Sequence, residues 1–245
     1  MTTPFGGNSF PYTENYFLSI ERQLAHSTVL SLSYVGSQAH HLLLVYSANP
    51  GNPALCLALS KPSAVAPGTP TCGPGGEDAT YITAAGKVID GTRGPFGPNF
   101  SNNDFQGSFG NSNYNSFQAG LRHSGRGVDV MLAYTFSKSI DQASSISDTS
   151  DPFNRSRLRA LSAWDMKHNL VATYTVELPF DRAFGKKARA ITQGWSISGI
   201  TRISSGFPVT LSTDSDNSLQ GSSPNGINNH VLDLPDFTPG PMNFN

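Results

Sequence analysis

The sequence predicts an all-β fold: an antiparallel up-and-down meander forming part of a transmembrane β-barrel with long extracellular loops. Three observations predict it. Segments of alternating apolar and polar residues recur along the chain. The connections between them alternate between short and long. Charged residues make up only 13% of the 245 residues, about half the ~25% usual for a soluble domain.

Six segments alternate at the two-residue period of a strand. The first runs from Tyr16 to Leu24, with Tyr16, Leu18 and Ile20 on one side and Ser19, Glu21 and Gln23 on the other. The second runs from Thr28 to about Tyr46, and the third from Tyr114 to His123. The fourth, Val128 to Ile140, opposes Val128, Val130, Leu132, Tyr134 and Phe136 to Asp129, Met131, Ala133, Thr135 and Ser137. The fifth runs from about Lys167 to Leu178 and the sixth from Gly194 to about Leu211. The expected pairs are 16–24 with 28–36, 114–123 with 128–138, and 167–178 with 194–206.

The connections fall at 25–27, 47–113, 124–127, 141–163, 179–193 and from 212 onward. Successive connections of a membrane barrel lie on opposite sides, with short periplasmic turns and long extracellular loops. The short and long connections here keep that phase. Ser124-Gly-Arg-Gly127 is a hairpin turn, since glycine accepts the positive φ that such turns require. The 47–113 connection is too long to lack structure of its own. A small hairpin is expected from Asp78, turning near Ala85-Gly86. The 141–163 connection is Ser/Asp-rich and then basic through Arg155, Arg157 and Arg159, with a brief helix or mobile stretch expected from Arg157 to Ala163.

No stretch reaches the ~18 apolar residues of a transmembrane helix, which says nothing of strands. The first residues carry no basic and apolar leader, so the chain is expected to be an internal or truncated fragment. A net charge of −1 gives no footprint for nucleic acid, and none is expected as a partner. Cys56 and Cys72 are either unrelated thiols or a disulfide. The disulfide is expected, clipping the largest extracellular loop in an oxidising compartment.

Other motifs carry little. His40-His41 reads as a pair of rim residues at a strand end. Asp214-Ser-Asp-Asn217 begins like a calcium loop, but Leu219 and Asn225 stand where an EF-hand needs Gly and Glu. Lys186, Lys187 and Arg189 form a solvated turn or a contact with periplasmic-leaflet lipid. No nucleophile elbow or phosphate loop is present. The chain is therefore expected not to be an enzyme, with no catalytic residue, cofactor or metal.

Asn15-Tyr-Phe-Leu-Ser-Ile-Glu-Arg-Gln-Leu followed by Leu32-Ser-Tyr-Val-Gly-Ser resembles a hairpin of Oar-like TonB-dependent receptors. So do Tyr114-Asn-Ser-Phe-Gln-Ala-Gly-Leu, Ala133-Tyr-Thr-Phe-Ser-Lys-Ser-Ile-Asp, and Gly194-Trp-Ser-Ile-Ser-Gly-Ile through Ser205-Gly-Phe-Pro-Val. The ordered set covers about residues 14–211. The resemblance implies the outer membrane of a Gram-negative bacterium and a partial receptor barrel across 1–245, without plug or N-terminal domain. It implies uptake or surface binding of a substrate that the sequence does not name. The TonB system would act only through the plug region that this sequence lacks.

Partners expected of the barrel are outer-membrane lipid and a ligand at the extracellular loops. Val130, Leu132, Tyr134, Leu170, Ala172, Tyr174, Ile197 and Ile203 are expected to face lipid. Trp195 and Phe136 are expected at the membrane interfaces. Asp129, Thr135, Asn169, Thr173, Ser198 and Arg202 are expected to face the lumen. Six strands alone leave two open edges, each costly in hydrocarbon. The alternative is a secreted or surface β-sandwich adhesin or glycan-binding module, which would bury the apolar face between two sheets.

Overall fold

Two-residue alternation lets a strand present one apolar and one polar face, and six such strands form the body of the computed structural model. The structure describes residues 3–4, 9–101, 103–145, 148–151, 153–154, 158–180, 194–211 and 216–221. The strands are β1 (Tyr12–Ala25), β2 (Thr28–Ser47), β3 (Asp104–Gly125), β4 (Val128–Asp141), β5 (His168–Glu177) and β6 (Ser196–Ser204). Neighbours in sequence are neighbours in the sheet, in the order β6-β5-β4-β3-β2-β1, and every one of these pairings is antiparallel. All three expected pairings are present. Among the described residues the outer edges of β1 and β6 have no strand partner.

Two tight turns share one end of the sheet with the end of β5 and the start of β6. Arg126 and Gly127 both take positive φ, 56° and 76°, which the right-handed twist of a two-residue hairpin needs. Ser124 N donates to Ser27 O, Glu177 N to Gly127 O and Leu178 N to Trp195 O. The long connections leave the other end. Residues 181–193, with Lys186, Lys187 and Arg189, lie outside the described residues, as does Asp214.

Strand limits differ from expectation where side-chain patterning is weakest. β3 begins at Asp104, well before Tyr114. Its first half is a Gly/Ser/Asn-rich run without alternation, held in the sheet by backbone pairing with the far half of β2. β6 stops at Ser204 rather than near Leu211: opposite it β5 has only His168 left, whose carbonyl accepts from Ser205 N, and Pro208 cannot donate to a ladder. His40 and His41 do not end a strand. They sit at a bulge inside β2, between Ala39 and Leu42, with His41 at φ 57°. Residues 160–161 are extended, not helical, and pair with Ile140 and Asp141.

The far halves of β2 and β3 form a ribbon that outruns its neighbours. Thr149–Ser150 pairs parallel with Val45–Tyr46 on one edge, and Thr3–Pro4 with Phe105–Gln106 on the other. The 48–103 connection folds on top of this ribbon. It contains helix α1 (Pro53–Leu59), capped by Asn52, and a hairpin of Thr80–Ile82 with Val88–Asp90. Gly86 turns that hairpin at φ 78°.

Burial separates the two regions. Among the described residues every buried hydrophobic side chain lies on the ribbon (Ala39, Leu44, Val45) or in the folded loop (Cys56, Leu59, Val65, Cys72, Tyr81). The lower sheet has none. Among the described residues no second sheet covers either of its faces.

Candidate functional site: an apolar wall and a clipped loop domain

Residues opposite each other in adjacent strands share a face, so the register defines what each face presents. Ile203, Leu170, Tyr134, Ala119, Leu32 and Ile20 form one continuous row across all six strands. The next row toward the tight turns is Thr201, Ala172, Leu132, Leu121, Leu30 and Arg22. Gly199, Tyr174 and Val130 follow, and then Ile197, Val176 and Val128. The eight residues expected to face lipid therefore share one face. On it Ile20 is 63% exposed and Ile203 64%. On β4 the apolar run from Val128 to Phe136 extends about 27 Å along the strand at ~3.4 Å per residue, or about 21 Å along the membrane normal at a ~40° tilt, most of the ~25 Å apolar band of a membrane barrel.

An aromatic row closes this band toward the long loops: His168, Phe136, Phe117, Tyr34 and Leu18. Tyr134 Oη and His168 Nδ1 lie 2.8 Å apart, and the Phe136 and His168 ring centroids 5.2 Å apart. The hydroxyls of Tyr34 and Tyr16 both donate to Asn115 Oδ1, at 2.6 and 3.2 Å. Tyr34 thus stands in the aromatic row with its hydroxyl reaching the polar row of Asn115, the arrangement favoured at a water–hydrocarbon boundary. Tyr16 also lies over Gly36, where any Cβ would collide with its ring. Trp195 stands at the opposite end, exposed, beside the connection to β6.

The other face carries Asp129, Thr135, Asn169, Thr173, Ser198 and Arg202, the set expected in the lumen. Ser19 and Ser33 hydroxyls pair across strands at 2.8 Å, and Arg202 Nε donates to Asn169 Oδ1 at 3.0 Å. This face is mixed rather than wholly polar. Phe17, Met131 and Ile200 also lie on it, exposed.

In the loop domain Cys56 and Cys72 are joined in a disulfide, with Cα atoms 5.2 Å apart. The bridge packs with Leu59, Val65 and Tyr81 in a small core. Beneath it lies a buried polar node. Arg93 NH2 donates to Glu77 Oε1 at 2.9 Å and Nε to Asp78 Oδ1 at 2.5 Å, while NH1 reaches Asn49 O at 3.2 Å. The fully buried Asn49 donates to Gly97 O and Ser101 O and accepts from Phe96 N.

Residues 216–221, beyond β6, dock on this node. Gly51 N donates to Gln220 O at 2.8 Å. Asp216 accepts from the backbone amides of Gly75, Gln220 and Gly221. Its carboxylate is thus engaged by N–H groups, a structural role rather than a calcium ligand's. Burial raises the Glu77 pKa above the ordinary value; the nearby Arg93 opposes this, and Asp216 and Asp78 add to it. Burial also raises the Tyr81 pKa, with Glu77 contributing.

Asn49, Glu77 and Arg93 went unmarked in the sequence, and Asp216 was marked only within a segment that begins like a calcium loop. One signal was available: in a chain this poor in charge, Glu77-Asp78 and Arg93 flank the small hairpin closely. Among the described residues no group of three or more His, Cys, Asp or Glu is placed to hold a metal.

No curated protein and no solved structure matches the chain. The family model described as "outer membrane beta barrel domain" matches residues 6–243. A meander without a buried core in its wall, apolar on one face and folded into loops at one end, fits that match. The chain belongs to the outer membrane beta barrel domain family, and its place is the outer membrane of a Gram-negative bacterium.

Proposed function

We propose that the chain is wall and extracellular loop of an Oar-like TonB-dependent receptor, which takes up or binds a substrate at the cell surface. The single observation behind this reading is the continuous apolar face across six meandering strands, with a folded loop domain at one end. Val130, Leu132, Tyr134, Leu170, Ala172, Tyr174, Ile197 and Ile203 face acyl chains. Phe136 and Trp195 mark the two interfaces. The opposite face lines the lumen. The ligand meets the 48–103 loop first, and coupling to TonB runs through a plug region of the receptor. The protein binds and passes its ligand without chemical change.

Two measurements test this reading. Nitroxides placed at Leu132 and Thr135 in outer membranes should differ, Leu132 being reached by oxygen and Thr135 by a water-soluble nickel chelate. Equal access would remove the wall assignment. Cross-linking in whole cells should capture TonB on the receptor. A correctly inserted protein that never yields this adduct would retain the wall and lose the receptor reading.

A further inference from the structure

The bulge in β2 undoes the alternation that a strand imposes. Adjacent residues of a strand point to opposite faces. Yet the rings of His40 and His41 lie 5.2 and 5.7 Å from the ring of one residue, Tyr12, across on β1. The extra residue between Ala39 and Leu42, with His41 at φ 57°, brings both imidazoles to one side. Side chains other than glycine rarely adopt that φ, and where they do the position is a candidate for function.

A neighbour on β3 fixes the proton of His40. Asn111 Nδ2 donates to Gln142 Oε1 and to Phe109 O, both at 3.4 Å, and Asn111 N donates to Gln142 Oε1 at 2.9 Å. Asn111 therefore turns Oδ1 to His40 Nδ1, 2.9 Å away, and an amide oxygen only accepts. The proton of the neutral ring sits on Nδ1. Nε2 keeps a lone pair and is turned away from β3. An imidazole held at one nitrogen by a carbonyl group and bare at the other is the form that binds a metal. Charge agrees. Glu14, across from Gln38, lies one step from Tyr12 on the same face and forms no ion pair among the described residues. Arg159 lies beyond β3, beside Ala160, which pairs with Asp141 of β4. Both histidines are half-exposed. His40 stands about 20 Å along the strand from Tyr34 at ~3.4 Å per residue, clear of the apolar rows.

We propose that His40 and His41 form a surface site for a divalent transition metal, Cu²⁺ before Ni²⁺ or Zn²⁺. His40 Nε2 and one ring nitrogen of His41 bind the ion, and water fills its other positions. Tyr12 packs against both rings and holds them on one side of the sheet. Glu14 adds its negative charge nearby. Two imidazoles with oxygen donors suit the tetragonal geometry of Cu²⁺, which also stands highest in the affinity order of these ions. No third His, Cys, Asp or Glu is grouped with the pair among the described residues, so the site is open, unlike the closed four-ligand site of a structural zinc.

The test titrates Cu²⁺ alone into the full chain purified from outer membranes in mild detergent. Calorimetry gives the affinity, and electron paramagnetic resonance counts the nitrogens on the ion. The spectrum should show two imidazole nitrogens. H41N keeps a residue that tolerates positive φ, so the bulge persists; it should leave one nitrogen and weaken binding at least tenfold. N111L leaves Nδ1 without its acceptor and should weaken binding about tenfold, as loss of a hydrogen bond behind a metal ligand does, with both nitrogens kept. Recovery in the outer-membrane fraction checks that each variant folds. Zn²⁺ should bind more weakly than Cu²⁺. A single nitrogen in the unaltered protein overturns the shared site. Undiminished Cu²⁺ binding by H40A combined with H41N places the ion on other groups and overturns it as well. Tighter binding of Zn²⁺ overturns the metal assignment.

Discussion

Arg93 is the one arginine buried among the described residues, and its surroundings explain why the loop tolerates it. Each guanidinium edge meets an acceptor: Glu77, Asp78 and the Asn49 carbonyl. Removing one partner of a buried pair strands the other in a medium that solvates it poorly. Arg93→Met should therefore cost the loop domain about 3–5 kcal/mol. Limited proteolysis should show faster cleavage within 48–103 while the strand pairs stay protected.

Glu77 adds a pH dependence. Among the described residues its Oε2 is buried without a hydrogen-bond partner, as is Gln220 Oε1. Burial raises its pKa above 4.5, so the folded loop holds this proton more tightly than the unfolded chain. That stability is fully present below the ordinary value and is lost as pH rises through the raised one. Amide exchange across residues 49–93 should quicken over that window, and Glu77→Gln should flatten the response. An exchange rate that falls with rising pH, once intrinsic exchange is divided out, would contradict this.

At the scale of elements, the loop domain and the strands are stabilised differently. Strands in the wall hold each other through backbone ladders. The loop has a core of a few side chains around Cys56–Cys72, too small to offset the entropy of ordering the long connection. Closing a loop of sixteen positions removes about 3 kcal/mol worth of unfolded-chain entropy in the polymer model. Cys56→Ser with Cys72→Ser should lower the loop's melting midpoint and leave outer-membrane insertion unchanged. If insertion fails as well, loop and wall fold as one unit.

Across the whole molecule, the absence of a core in the lower sheet is the main energetic fact. Its apolar face is exposed in the isolated chain, and hydrocarbon is the medium that would cover it. Leu132→Arg should cost roughly 2–4 kcal/mol of insertion, as charges do near the midplane of a barrel's lipid face. Thr135→Arg, on the opposite face, should cost little. Recovery of each variant in the outer-membrane fraction measures the difference. Equal loss for both would mean that the two faces see the same surroundings.

Alternation by itself located the six strands, though not their limits, and determined which faces they share and which strands pair, because the two-residue period leaves one consistent register wherever one face is apolar. It also placed the hairpin at Gly86 and the turn at Arg126-Gly127, where glycine accepts the positive φ, and the glycine-free turn at His26-Ser27. The tertiary structure alone decided the rest. The ribbon of Asp104–Asn113 with Ala39–Ser47 has no alternating pattern, and backbone pairing across a long separation created it. The node of Asn49, Glu77, Arg93 and Asp216 joins segments up to a hundred and more residues apart. Its members differ in nothing local from surface polar residues, and only burial made them one group.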